Sequence, residues 1–267
     1  MASAPQDSLP LFYQDLMPLN SRDHGKFRAR SVDKAKWVVG QNAIPLTTDE
    51  FSLAQRNFPI VFSSGDNPVP LALMGLNEGI NVFFDDDGMA RQEIYIPAYI
   101  RRYPFLLAKL EPQAEAMSLC FDPTSEVIGE FADGNPLFED DQPTQHTKEL
   151  LQFTENFEEA GARTQAFIAE LKKHNLIMEG EVAIEQNDKP GQPYVYRGFQ
   201  MIDQAKLREL RGDQLRKWNE SGMLPLIYAH LFSLDLMRVI FSLQTLQGKG
   251  PGVAALAEQP EAAPAVA

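Results

Sequence analysis

The run TQHTKELLQFTENFEEAGARTQAFIAELKKH (144–174) decides what kind of fold this chain can have. Apolar or small side chains recur at Leu150, Phe153, Phe157, Ala160, Thr164, Phe167, Ile168 and Leu171, mostly three or four positions apart. That period lays a single stripe along an α-helix, so the segment predicts a long amphipathic helix beginning after Pro143, with Gly161 as its weak point. Upstream the period shortens. Ile60–Ser63, 69–76, 80–84 and 91–96 are short apolar pieces separated by SGDNP (64–68), NEG (77–79) and DDDG (85–88). Frequent turn signals between such pieces predict an antiparallel meander. Downstream, 181–186 and 194–202 flank Asn187-Asp188-Lys189-Pro190-Gly191 and read as a later hairpin. The last apolar run, 223–244, is apolar nearly all round and predicts a helix at the centre of the core. The expected class is therefore α+β: an antiparallel β meander plus a later hairpin, packed on long C-terminal helices.

Smaller signals fill in the rest. KWVVG (36–40) reads as a first strand and 43–46 as an extended piece. Thr47-Thr48-Asp49-Glu50 supplies N-cap chemistry for a short helix bearing Phe51, Leu53, Ala54 and Phe58. Residues 117–121 read as a strand that buries Cys120. Asp203 and Asp213 are each placed to cap a short helix. The boundaries that follow are an extended N-terminal arm (1–33), one α+β domain (34–247), and a disordered Ala/Pro-rich tail (248–267). The run Leu16-Met17-Pro18-Leu19 is expected to pin the arm to the domain.

Composition removes several function classes. A formal net charge of −13 opposes binding to a nucleic-acid backbone or to anionic lipid. A single cysteine excludes an intramolecular disulfide and any paired-cysteine zinc site. The N-terminal residues lack the basic and unbroken apolar regions of a secretory signal, which points to the cytoplasm. His230, Asp235 and Arg238 interrupt the last apolar run, so membrane insertion is not expected. No GxSxG, Walker A, HExxH or GxGxxG motif is present, and none of the four histidines sits in an HxD or HxH pair. No catalytic residue, metal ligand or cofactor is assigned on this reading.

One stretch looks like a binding surface. YIPAYIRRYPF (95–105) gathers three tyrosines and two adjacent arginines in an otherwise acidic chain. Pro97 suits a first helical turn, and Pro104 should end or kink that helix. Neighbours on a helix point about 100° apart, so Arg101 and Arg102 cannot face the same way. One is expected to pair with a carboxylate, and the other to offer its fork to a carboxylate or phosphate on a ligand. Tyr99 and Tyr103, one turn apart, would wall such a site beside Tyr95. His230, within the last apolar helix one turn after Pro225-Leu226 and beside Tyr228, needs a partner: either a core hydrogen bond or a ligand. The candidate ligand-binding set is Tyr95, Tyr99, Arg101, Arg102, Tyr103, Tyr228 and His230.

Several blocks in fixed order resemble the bacterial SapC family: IPLTTDEFSLAQRNFPIVF (44–62), PLALMGLNEGINVFFDDDG (70–88), YIPAYIRRYPF (95–105), GFQMID (198–203) and ESGMLPLIYAHLFSL (220–234). The family takes its name from a gene near bacterial surface-layer genes. Relatives also lie beside genes for outer-membrane receptors and for proteins similar to flavin-dependent tryptophan halogenases. The resemblance carries over no settled enzymatic activity. With the 95–105 surface it leads to the expectation of a non-catalytic, cytoplasmic accessory protein of cell-envelope or surface-layer processes that binds a peptide, a protein or a small anionic ligand through that surface. It leaves open an enzyme, or enzyme subunit, modifying a peptide or amino acid in the halogenase-associated setting, and a secreted surface-layer component. A peptide-transport permease shares the name, but a permease needs several uninterrupted apolar spans that this sequence lacks.

Overall fold

The computed structural model describes residues 9–31, 34–110, 116–185 and 193–250. The Asn187–Gly191 turn and the tail from 251 onward lie outside them. Among the described residues, nine strands have three residues or more: β1 (Ala43–Pro45), β2 (Ile60–Ser63), β3 (Pro70–Leu73), β4 (Phe105–Ala108), β5 (Ser118–Phe121), β6 (Ile177–Glu179), β7 (Val182–Ile184), β8 (Tyr194–Tyr196) and β9 (Phe199–Ile202). Six helices have five residues or more: α1 (Ala98–Arg102), α2 (Gln145–Lys173), α3 (Gln204–Arg208), α4 (Gly212–Glu220), α5 (Met223–Ser233) and α6 (Leu236–Leu246). The class is α+β, and among the described residues every strand pairing is antiparallel.

The main sheet has the order β6-β9-β2-β3-β1. Its centre is β2, where Ile60, Val61 and Phe62 are all fully buried, as an apolar run without polar alternation requires of a strand covered on both faces. Helix α2 begins as the sequence predicts, with the Thr144 side chain accepting from the Thr147 N–H, and its stripe buries Phe167, Ile168 and Leu171 in the main core. Burying each such side chain stabilises by roughly 1.5–3 kcal/mol. A second sheet places β5 between β4 and Met17–Pro18. A third places Arg28–Ala29 between Ile128–Gly129 and Asn135–Pro136. The early segment is thus stitched into two sheets.

Several expectations need correction. Residues 36–40 do not form a strand: Lys36–Val38 is a 3-10 turn. The Asp85–Gly88 turn packs against it so closely that a Cβ on Gly88, whose φ is +81°, would lie 2.5 Å from the Ala35 carbonyl carbon. Residues 81–84 are buried but make no ladder beyond an isolated bridge from Phe84 to Ala90, because Asn81 takes a partner strand's role. Its amide donates to the Val38 and Gln41 carbonyls, and its oxygen accepts from the Phe83 and Phe84 N–H groups. Residues 91–96 likewise form no strand, and the Tyr95 N–H goes to the Asn57 side chain. Asp213 lies in the first turn of α4, whose cap position is Arg211. Asp203 does cap α3, accepting from the N–H groups of Ala205 and Lys206.

The final apolar run is two helices, α5 and α6, broken at residues 234–235. Ser233 explains the break. Its hydroxyl accepts from the Ile60 N–H and donates to the His230 carbonyl, competing with the helix's own bonding. Nor is this pair apolar-buried all round: Phe232 is 69% exposed, with Tyr228 stacked on it at 5.6 Å. By length and composition alone 223–246 could cross a membrane, but its inner face is hydrogen-bonded to the main sheet.

Candidate functional site

The segment 95–105 is held in place by Glu50, a residue the sequence marks only as a capping group. Glu50 Oε2 accepts from the backbone N–H and the hydroxyl of Thr47, closing a capping box on its own short helix. Its Oε1 accepts from the Ala98 N–H (2.6 Å) and the Tyr95 hydroxyl (3.0 Å). One buried carboxylate therefore ends two helices at once and satisfies donors that would otherwise be orphaned. Pro97 stands just before α1, and Pro104 follows it, so α1 is a single rigid turn.

Arg101 and Arg102 leave that turn in different directions, as helical geometry demands. Arg102 is only 8% exposed. Its guanidinium lies 4.4 Å from the ring centroids of both Tyr99 and Phe157, and its NH1 is 3.6 Å from Glu158. Burial raises the Glu158 pKa, with Arg102 acting against that rise. Arg101 is exposed and has no carboxylate partner among the described residues. Its Nε donates to the Ile96 carbonyl at 3.0 Å, and one NH2 hydrogen reaches the Tyr95 hydroxyl at 3.4 Å. Phe153 supports the guanidinium from 5.3 Å. The remaining N–H groups, including NH1, are uncommitted among the described residues, which leaves the fork open.

Arg101 lines a cleft of about 460 Å³. Trp37 and Tyr103, with centroids 4.7 Å apart, stand along it, and Phe84, Ile100, Ile128 and Leu150 are among the apolar residues of the remaining wall. Arg30 and His146 are the other basic side chains there. Arg30 is already bonded to Asp133 at 2.7 Å and stacked on Phe131, so its charge is offset. Among the described residues no aspartate or glutamate lines the cleft.

The other candidates have different positions. Tyr99 is buried, its hydroxyl donating to the Leu11 carbonyl, and it does not line the cleft. Tyr103 does, while its hydroxyl points to Asp122 at 3.4 Å; burial and that carboxylate push its pKa up to about 12. Burial works against Asp122, but hydrogen bonds from Thr124 and the Gln14 N–H still hold its carboxyl below the usual range. Tyr95 braces Arg101 from outside, with its pKa pushed up to about 12 by burial and Glu50. Tyr228 and His230 are not brought to the cleft. His230 is fully buried, stacked on Phe62 at 4.8 Å. Its Nδ1–H donates to the Ile60 carbonyl (2.7 Å), and its Nε2 accepts from the Ile202 N–H (3.1 Å). Burial lowers its pKa to about 4, with the Ile60 hydrogen bond opposing. Cys120 is buried too, its thiol pushed up to about 11 by desolvation, the opposite of an activated nucleophile.

The segments that meet at this cleft lie between residues 29 and 150, and a family model for SapC matches residues 19–240. The chain belongs to the SapC family. No curated protein and no solved structure matches it significantly. Within this SapC protein, Trp37, Phe84, His146 and Leu150 are cleft residues that sequence reasoning missed. They carry no shared motif and lie on three separate segments, His146 and Leu150 sharing α2, so only the fold could bring them together.

Proposed function

We propose that this SapC-family chain is a cytoplasmic, non-catalytic binding protein serving cell-envelope or surface-layer processes, and that it takes an anionic ligand in the cleft beside Arg101. The observation that carries this reading is Arg101 itself: a guanidinium tethered on one edge, open on the other, at an apolar cleft in a chain of net charge −13. An acidic protein has many carboxylates with which to neutralise an arginine, so one held away from them while its neighbour Arg102 is paired supports a ligand role. The link to the envelope rests on the family. Native mass spectrometry of protein purified from its host tests the reading. Wild type should carry a bound mass that Leu150→Trp, which obstructs the cleft from its wall, does not, with circular dichroism showing both folded. Identical spectra would overturn it.

A further inference from the structure

Resting on that reading, we infer that the cleft selects a small monocarboxylate with an apolar body and no ammonium group. Three features of the wall lead to this class. First, the polar groups are cationic or neutral: Arg101 offers a free fork, Arg30 is committed to Asp133, and His146 stands near the start of α2. A carboxylate matches that fork with two parallel hydrogen bonds and one unit of charge. A phosphate dianion would bring twice the charge of the single uncompensated arginine.

Second, among the described residues no acidic side chain lines the cleft, so a positive group on the ligand has nothing to pair with. A buried ammonium without a partner is strongly disfavoured. Free amino acids and amines are therefore poor ligands, whereas deaminated or acylated acids fit. Third, about 460 Å³ walled by Trp37, Phe84, Ile100 and Leu150 is the size of a small-molecule site and suits an aryl or short acyl body. A peptide ending in an apolar residue presents the same carboxylate, but its chain must leave through the cleft mouth; the free acid is the occupant that this volume favours.

Isothermal titration calorimetry with a matched series tests the assignment: 3-phenylpropionate, octanoate, 3-phenylpropionamide, L-phenylalanine, 2-phenylethylamine and a short peptide ending in phenylalanine. The two free carboxylates should bind. Phenylalanine should bind at least about tenfold more weakly than 3-phenylpropionate, and the amine weaker still. Arg101→Gln should weaken 3-phenylpropionate about 10–100-fold and leave the neutral amide unchanged, a split that a merely structural arginine would not give. Failure of both free acids to bind, equal binding of the amine, indifference to Arg101→Gln, or a clear preference for the peptide would each overturn the inference. The two readings separate cleanly. A host-derived mass displaced by Leu150→Trp that contains no carboxyl group keeps the cleft as the site and removes the carboxylate. Carboxylate binding undiminished in Leu150→Trp removes the cleft itself.

Discussion

His230 and Arg101 occupy two regions that look equally provocative in sequence, and the structure gives them opposite fates. Around His230 every polar atom is spoken for: both ring nitrogens bond the main chain of adjacent strands, and Ser233 bonds the remaining edge of Ile60. Around Arg101 the bonding stops halfway, with Nε and one NH2 hydrogen held and the rest of the fork open among the described residues. A polar group whose capacity is exhausted by the backbone builds architecture. One whose capacity is left over can hold something else.

The sharpest way to break this contrast is through Glu50, which holds the turn that carries Arg101. Glu50→Ala should cost about 3–5 kcal/mol, because the N–H groups of Thr47 and Ala98 would be left buried without an acceptor. Urea unfolding at pH 7 measures it, and a cost under 1 kcal/mol would show that α1 does not depend on this cap.

His230 provides the next test, through pH. Its pKa of about 4 in the fold, against an ordinary value of 6.5, means that the unfolded chain takes up the proton first on acidification. The stabilisation is complete above pH 6.5 and drains away as pH falls toward 4. Wild type should therefore lose about 2–3 kcal/mol more between pH 7 and pH 4.5 than His230→Gln does. Parallel pH profiles for the two proteins would rule the mechanism out.

Finally, the two arginines can be set against each other. Arg102→Ala, which removes the guanidinium between Tyr99 and Phe157 and strands Glu158, should destabilise by about 2–3 kcal/mol. Arg101→Ala should change stability by less than about 0.5 kcal/mol. Equal losses in thermal unfolding would erase the distinction on which the site rests.

Much of the fold was legible in the residues because it depends on local period. The stripe from Leu150 to Leu171 needs only 3.6 residues per turn, and α2 follows it from Gln145 to Lys173. The helix started by Asp203 and the strands β2, β3 and β5 were legible for similar reasons. The failures share a cause as well. Residues 80–84 have the composition of a strand, but the Asn81 side chain captured the hydrogen bonds, and no periodic pattern reports what one amide will do. The single long helix expected at 223–244 broke because a serine found a strand 173 residues away. At the site, the arginine pair and Tyr103 were visible as a cluster. Trp37, Phe84 and Leu150 were not, since each looks like ordinary core until the segments meet.

The pairing of Arg28–Ala29 with Ile128–Gly129 and Asn135–Pro136 also sets an order of events during synthesis. Residue 29 leaves the ribosome about 100 residues before its partners, a wait of about 5–20 s at ordinary elongation rates. The β2–β3 hairpin, with its short loop, closes well within that interval. One wall of the cleft is therefore translated early, kept idle, and finished only when the start of α2 arrives. A nascent chain halted before residue 146 would carry the arginine fork without a pocket to serve.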